Sequence, residues 1–347
     1  MATLNTAVTQ KPKKKMSASA KALWWGIFAS FAFTALTWAL GPFLPQINFL
    51  PDTGYDWYYW KLPEPTVMSR VTAWSGYLLH QLVVWGIIYY AQKNKTKYTS
   101  GLHRVNILSF AANGIFILLH LLQTHIWYDG LAQDTHIMSS QGSVVVLLIA
   151  VLLMENQRRG LIFGKGKRLN FLNDTGRVVR KYHGYYFAWA IIYTFWYHPM
   201  ETTSGHLLGL VYTFLIMLQG SLMYTRIHVN KWWTLAQEMI VVVHGTLVAI
   251  NQNNGIWPMF FFGFLALFIV TQMHGLGLKQ WQKWGFVIAY AAAAIIVYSS
   301  RGWGMLNEIV RIPVIDYLGV FVLALLIWLG MRVGGFVTAR LRPAQAR

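Results

Sequence analysis

The sequence contains no cysteine, and its acids are few: 11 Asp and Glu stand against 29 Lys and Arg, with charged residues at 12% in all. Without cysteine sulfur there can be no disulfide, thiolate metal site, iron–sulfur cluster or covalently attached c-type haem. A charged content of 12% beside a hydrophobic content of 56% excludes an ordinary soluble domain, which carries roughly 25% charged residues. A Gly-x-Gly-x-x-Gly in a strand–turn–helix setting is also missing, so there is no nicotinamide or flavin fingerprint. What the chain has instead is apolar runs of about 20 residues along its whole length, each able to cross a hydrocarbon layer of about 30 Å. Histidine, at 11 residues, is the richest ligand type left.

Polar punctuation divides the chain into ten expected helices, at roughly 22–41, 69–91, 105–125, 136–154, 183–199, 205–224, 235–251, 256–275, 285–300 and 313–331. The expected fold is all-α, a polytopic membrane bundle of about ten transmembrane helices. An even number of spans puts both termini on one side. With the N-terminus cytoplasmic, the outer segments keep Lys61, Arg70, Arg301 and Arg311, leaving 25 of the 29 Lys and Arg inside. That asymmetry predicts cytoplasmic termini and a bacterial inner membrane or a plasma membrane. It also accounts for the net charge of +18 without nucleic acid, and makes anionic lipid heads natural partners. Residues 1–21, with Lys11, Lys13, Lys14 and Lys15, read as a disordered basic cytoplasmic tail, and 22–347 as one transmembrane domain. The 43–68 segment reads as the longest outer loop, aromatic enough to lie on the membrane surface. The 155–182 segment reads as the longest inner one.

Histidine in a membrane helix is costly enough to make each one a candidate functional group. The candidates are His80 in the second helix, His120 and His125 in the third, His136 opening the fourth and His183 opening the fifth. His198 closes the fifth, His206 opens the sixth, His244 lies inside the seventh and His274 closes the eighth. No two of these are three or four apart, so the same-face clusters of di-iron and zinc membrane enzymes are missing. One histidine per helix on consecutive helices suits haem clamped between opposing imidazoles. His136 and His206 open parallel helices near the outer face, and His183 and His244 lie nearer the inner face on the alternate helices.

The stretch His206-Leu-Leu-Gly-Leu-Val-Tyr-Thr-Phe-Leu-Ile-Met-Leu-Gln219-Gly220 resembles a ligand helix of the cytochrome b561 family, with its His-x-x-Gly and terminal Leu-Gln. His244-Gly245, the run from His136 to Gly142 and on to Arg158, and His183-Gly184 are similar to the other ligand positions. The resemblance spans about 103–275 and implies two b-type haems, ligated by His136 with His206 and His183 with His244. The implied activity is transmembrane electron transfer from a small-molecule or quinol donor to an acceptor at the outer face, with partner subunits allowed. His183 in a first helical turn would lie about 10 Å from the depth of His244, at 1.5 Å per residue. Either the fifth helix starts earlier, with Arg180 and Lys181 snorkelling, or the inner pairing differs, with His274 an alternate partner for His183 and His120 for His244. Helices 1, 2, 9 and 10 fall outside the six-helix family core.

Two other classes stand beside this one. His120, His125, His136, His198 and His206, biased to the outer face, suit a non-haem iron or zinc enzyme acting on a lipid or isoprenoid, and a transporter is third. Glu238 and Asp316 are acids within expected spans, fit for proton relay or for an interfacial, solvated position. Asp129, Asp134 and Glu201 lie in outer loops beside histidines, where they would orient imidazoles, hold a metal or carry ordinary loop charge.

Overall fold

The computed structural model describes residues 15–49, 60–94, 96–253 and 255–341, with side chains to 334. Ten α-helices make up the described chain: α1 Ala18–Leu40, α2 Val67–Lys93, α3 Arg104–Ile126, α4 Ile137–Arg159, α5 Asn170–Tyr197, α6 Ser204–Ser221, α7 Lys231–Asn251, α8 Trp257–Val270, α9 Gln280–Arg301 and α10 Glu308–Leu341. Among the described residues β-structure is limited to two isolated bridges. Eight helices, all but α5 and α6, are long and apolar enough to cross a membrane, and the protein is a membrane-embedded all-α bundle. The other two are interrupted by polar groups, Asp174, Arg177, Arg180, Lys181 and His183 in α5 and Ser204, His206, Gln219 and Ser221 in α6.

The helix starts follow from side chains able to accept from the orphan N–H groups of a first turn. Ser17 accepts from Ala20, Thr66 from Ser69, Thr203 from His206, and Asn230 from both Trp232 and Trp233. Because Ser17 caps α1, residues 18–21 of the tail expected over 1–21 are already helical, while 1–14 lie outside the described residues. Positions 50–59 of the expected 43–68 loop lie outside them too. The larger departure is α5, which begins at Asn170 rather than near 183, leaving only Gly160 to Leu169 of the inner loop expected over 155–182. Gly160 ends α4 at φ +75, a left-handed conformation that costs glycine nothing. The basic stretch from Arg177 to Lys181 is thus helical surface: Arg180 donates to the Met154 carbonyl and to Gln157 Oε1 at 3.1 Å, both on α4.

Close crossings use small residues, as expected where van der Waals packing drives association. Gly76 on α2 accepts the Trp196 ring of α5, and a Cβ there would stand 2.1 Å from it. Gly176 on α5 lies against the Leu153 carbonyl of α4, and Gly319 on α10 against Ile149. The main core joins α2, α3, α5 and α6 through Tyr77, Phe116, Phe195, Trp196, Tyr197 and Phe214. α10 packs across α8, α4 and α5, whereas α9 rests chiefly on α8 and the 303–307 turn.

Candidate functional site

A cavity of about 1000 Å³ runs through the bundle, walled by α2 to α8 and α10. Two histidines line it. His183, on the α5 face that looks inward, sends Nδ1 to the Arg180 carbonyl at 2.7 Å, one turn back along its own helix. His228, in the segment between α6 and α7, sends Nδ1 to the Gln219 carbonyl at 2.8 Å. A carbonyl oxygen only accepts, so each Nδ1 carries the proton and each Nε2 the lone pair. Neither Nε2 has a hydrogen-bond partner among the described residues, and the two ring centres are 6.0 Å apart, inclined by 34°. Burial holds the His228 imidazole down to about 4, with His183 beside it pushing the same way and the bond to Gln219 opposing, so at neutral pH the ring is uncharged.

The position of His228 is built by the turn that ends α6. Asn106 on α3 donates to the Ser221 and Met223 carbonyls, both at 2.8 Å, satisfying groups that the helix end leaves orphaned. Tyr224 turns the chain at φ +58, and Thr225 then bridges to Thr99, with Thr99 donating to Tyr224 and Arg226 donating back to Thr99. Gln219 closes the arrangement. Its backbone carbonyl accepts from the His228 ring, its Nε2 donates to the His228 carbonyl at 2.9 Å, and its Oε1 accepts from Trp233 Nε1 at 2.6 Å. The Leu-Gln ending of α6 is therefore a clamp on a histidine nine residues later. Beside the pair, Gly184 and Gly220 line the cavity, and a Cβ on Gly220 would meet nothing within 4 Å. Arg158, Arg180 and Lys181 line the cavity as well.

The other histidines fall elsewhere. His244 is not beside His183: it lies against α6, its Nε2 3.2 Å from where a Gly209 Cβ would be and its ring 5.9 Å from Tyr212. The depth difference anticipated from the sequence is present although α5 starts early: His183 lies beside His228 at the level of Gln219, whereas His244 lies at the level of Gly209, ten residues or about 15 Å away along α6. His206 bonds Thr203 through Nδ1 at 2.8 Å and packs its ring 5.3 Å from His198 and 5.9 Å from Trp60. His136 caps α4 by accepting from Met138 at 3.1 Å and is exposed. No described contact joins it to His206, because α4 packs on α5 and α10 while α6 packs on α1, α3, α5 and α7.

His120 has both nitrogens engaged, with Gln123 at 3.1 Å and the His198 carbonyl at 2.8 Å, and so does His125, with the Leu121 and Leu40 carbonyls at 2.7 and 3.1 Å. His80 bonds Asn113 and Trp196. His274 follows α8 in a short 3-10 turn, bonded to the Ile269 carbonyl at 3.2 Å and stacked edge-on to Phe163. Among the described residues, no group of three His, Asp or Glu side chains is placed to hold a metal ion.

Of the five acids singled out in the sequence, all but Asp316 have a partner among the described residues. Arg70 pairs with Asp129 and Asp134, and Trp74 also donates to Asp134 at 2.7 Å. Burial raises the Asp129 carboxyl against the opposing pull of the Gly130 amide and Arg70. Glu201 accepts from the Tyr128 hydroxyl and the Thr202 amide. Glu238 is buried against Arg159, whose NH1 reaches its two oxygens at 3.0 and 2.7 Å. Asp316 is buried too, with no hydrogen bond to either oxygen from the described residues. Neither Glu238 nor Asp316 is the solvated interfacial group that the sequence allowed.

No family model, curated protein or solved structure matches the chain. The functional reading therefore rests on the site itself.

Proposed function

We propose that the protein is a b-type membrane cytochrome, in which His183 and His228 hold a haem at the inner end of the cavity and the bundle carries electrons across the membrane. The carrying observation is the pair of imidazoles, each with Nδ1–H tied to a backbone carbonyl and its Nε2 left as an unengaged acceptor, lining one cavity at a ring separation of 6.0 Å. Two imidazoles sharing one metal at about 2.0–2.1 Å per nitrogen have ring centres about 6 Å apart. Tying the far nitrogen to a carbonyl is the arrangement that orients metal-binding histidines and makes them better donors. The donor set thus fits haem iron, and Arg158, Arg180 and Lys181 are cations suited to its propionates.

When bound, haem supplies a one-electron carrier, and the protein's part is to set its ligands, burial and proton access. Burial of His228 keeps its ring neutral and available, and Gln219 fixes its direction. The basic asymmetry of the loops supports an orientation with ten spans, both termini cytoplasmic and the site on the cytoplasmic half. A small-molecule or quinol donor and an acceptor at the outer face complete the reading. A second centre at the outer face has less support, since His206 adjoins His198 and His244 rather than His136. The metal-dependent lipid enzyme rests on those same outer histidines, two of which, His120 and His125, are engaged on both nitrogens.

A reduced-minus-oxidised optical spectrum of the purified full chain tests the proposal. The expected result is the band pattern of a six-coordinate, bis-histidine b-type haem at one haem per chain. A chain that purifies folded from haem-replete cells without any haem spectrum overturns it.

A further inference from the structure

Away from the histidine pair, the same cavity is walled by α6, α7, α8 and α10, and its polar groups there are of a different kind. Gln237 on α7 is 8% exposed, and both its Oε1 and its Nε2 lack a hydrogen-bond partner. Asp316 on α10 is 3% exposed and has neither a hydrogen bond nor an ion pair among the described residues. Arg159, buried on α4, gives one guanidinium nitrogen to Glu238 and makes no ion pair with Asp316. Tyr212 on α6 lines the same space, with no described hydrogen bond to its hydroxyl. Buried polar groups in folded proteins are ordinarily satisfied, and an ionisable group inside a membrane bundle marks a functional position by default. Three unengaged groups that line one cavity, from α6, α7 and α10, therefore describe a binding surface.

The rest of this wall is apolar: Val241, Phe260, Phe264, Ile312 and Ile315. Phe260 and Phe264 stack obliquely, 6.2 Å apart, one helical turn from each other on α8. Pro313, inside α10, has no N–H to give, so the Ile309 carbonyl, two turns before Asp316, lacks its helical donor. A ligand for this surface needs an O–H to give to Asp316 or Gln237 Oε1, an oxygen to accept from Gln237 Nε2 or Tyr212, and a flat, apolar body to lie against the phenylalanines. An anionic head does not meet these needs, because Asp316 is itself an acid and the amide and phenol are neutral, offering hydrogen bonds rather than countercharge.

We infer that the α7–α8–α10 side of the cavity is a binding site for a neutral, membrane-soluble amphiphile with a hydroxyl-bearing ring as its head, held by Gln237, Asp316 and Tyr212. The inference goes beyond the haem reading and does not require it. The cavity volume, about 1000 Å³, is at the upper end of the 300–1,000 Å³ usual for small-molecule pockets, which leaves room for a second occupant beside the histidine pair.

The test uses two probes of nearly the same size, 4-decylphenol and its methyl ether 4-decylanisole, which lacks the O–H. Each is titrated against the full chain in phosphatidylcholine nanodiscs, with tryptophan fluorescence as the readout and empty nanodiscs as the partition control. The wild type is expected to take up the phenol at least tenfold more tightly than the ether. Gln237→Leu and Asp316→Leu are each expected to bring that ratio below threefold by weakening the phenol while leaving the ether unchanged. Equal affinity of the two probes for the wild type overturns the inference without recourse to any variant. So does a tenfold preference that survives both substitutions in chains of unchanged helical content. The optical spectrum is read in the same samples: loss of the haem reading with the phenol preference intact separates the two proposals.

Discussion

Replacing His228 by alanine is expected to remove the haem completely, and replacing His183 is expected to do the same. His136→Ala, His244→Ala and His274→Ala are each expected to leave at least nine-tenths of it. The first two variants take away half of one ligand set, and a lone imidazole on a cavity this open does not hold the macrocycle through purification. The other three residues do not touch the pair. A folding defect would also lose cofactor, so a second readout is needed: free imidazole added during expression or reconstitution should restore a haem spectrum to His183→Ala and His228→Ala, since the vacated space and the remaining ligand persist. Recovery in neither variant, or loss of haem from His244→Ala alone with His228→Ala unaffected, refutes the assignment. Gln219→Leu is expected to be intermediate, keeping haem at altered potential. It preserves the backbone carbonyl that His228 Nδ1 uses and deletes the side-chain bonds to the His228 carbonyl and from Trp233 Nε1.

How much of this was legible before the structure depends on which physical signal carried it. Helix number and most helix positions were readable, because apolar length and side-chain caps are local properties. α5 was misplaced because the same charges that mark loops, Arg177, Arg180 and Lys181, also lie on helices when their heads reach the surface; here Arg180 turns onto the end of α4. His183 was legible as a candidate, but its partner was not. His228 stands outside every apolar run, and a search confined to helices passes over it. The available signal was its distance of nine residues from Gln219, in a segment too short to leave the neighbourhood of α6. The pairing of His183 with His244 failed on depth, as their places in the sequence had suggested: His183 lies level with Gln219 and His244 with Gly209, ten residues apart on α6. The role of the helices outside the expected 103–275 core was equally unreadable, and α2 and α10 turn out to wall the cavity through Val84, Ile88 and Gln92 and through Ile312, Ile315 and Asp316.

The second large effect is expected at the contact between α4 and α7. Arg159 is 1% exposed and meets Glu238, itself 8% exposed, through one guanidinium nitrogen that reaches both carboxylate oxygens. Removing one partner of a buried pair leaves the other charge uncompensated in a medium that cannot solvate it, at a cost of roughly 3–5 kcal/mol. Arg159→Met and Glu238→Leu are therefore each expected to lower the thermal unfolding midpoint sharply and to reduce the yield of folded protein. Glu238→Gln should cost less, since the amide oxygen still accepts from Arg159. The double substitution Arg159→Met with Glu238→Leu is the decisive measurement. Two apolar side chains of similar length ask for no countercharge, so the double variant should be more stable than either single one, and by an amount that exceeds the error of a melt. Simple additivity of the two losses would show instead that each side chain is held by contacts of its own. The pair would then not be what fastens α4, whose last turn brings Arg158 to the cavity wall, to the helix that carries Gln237.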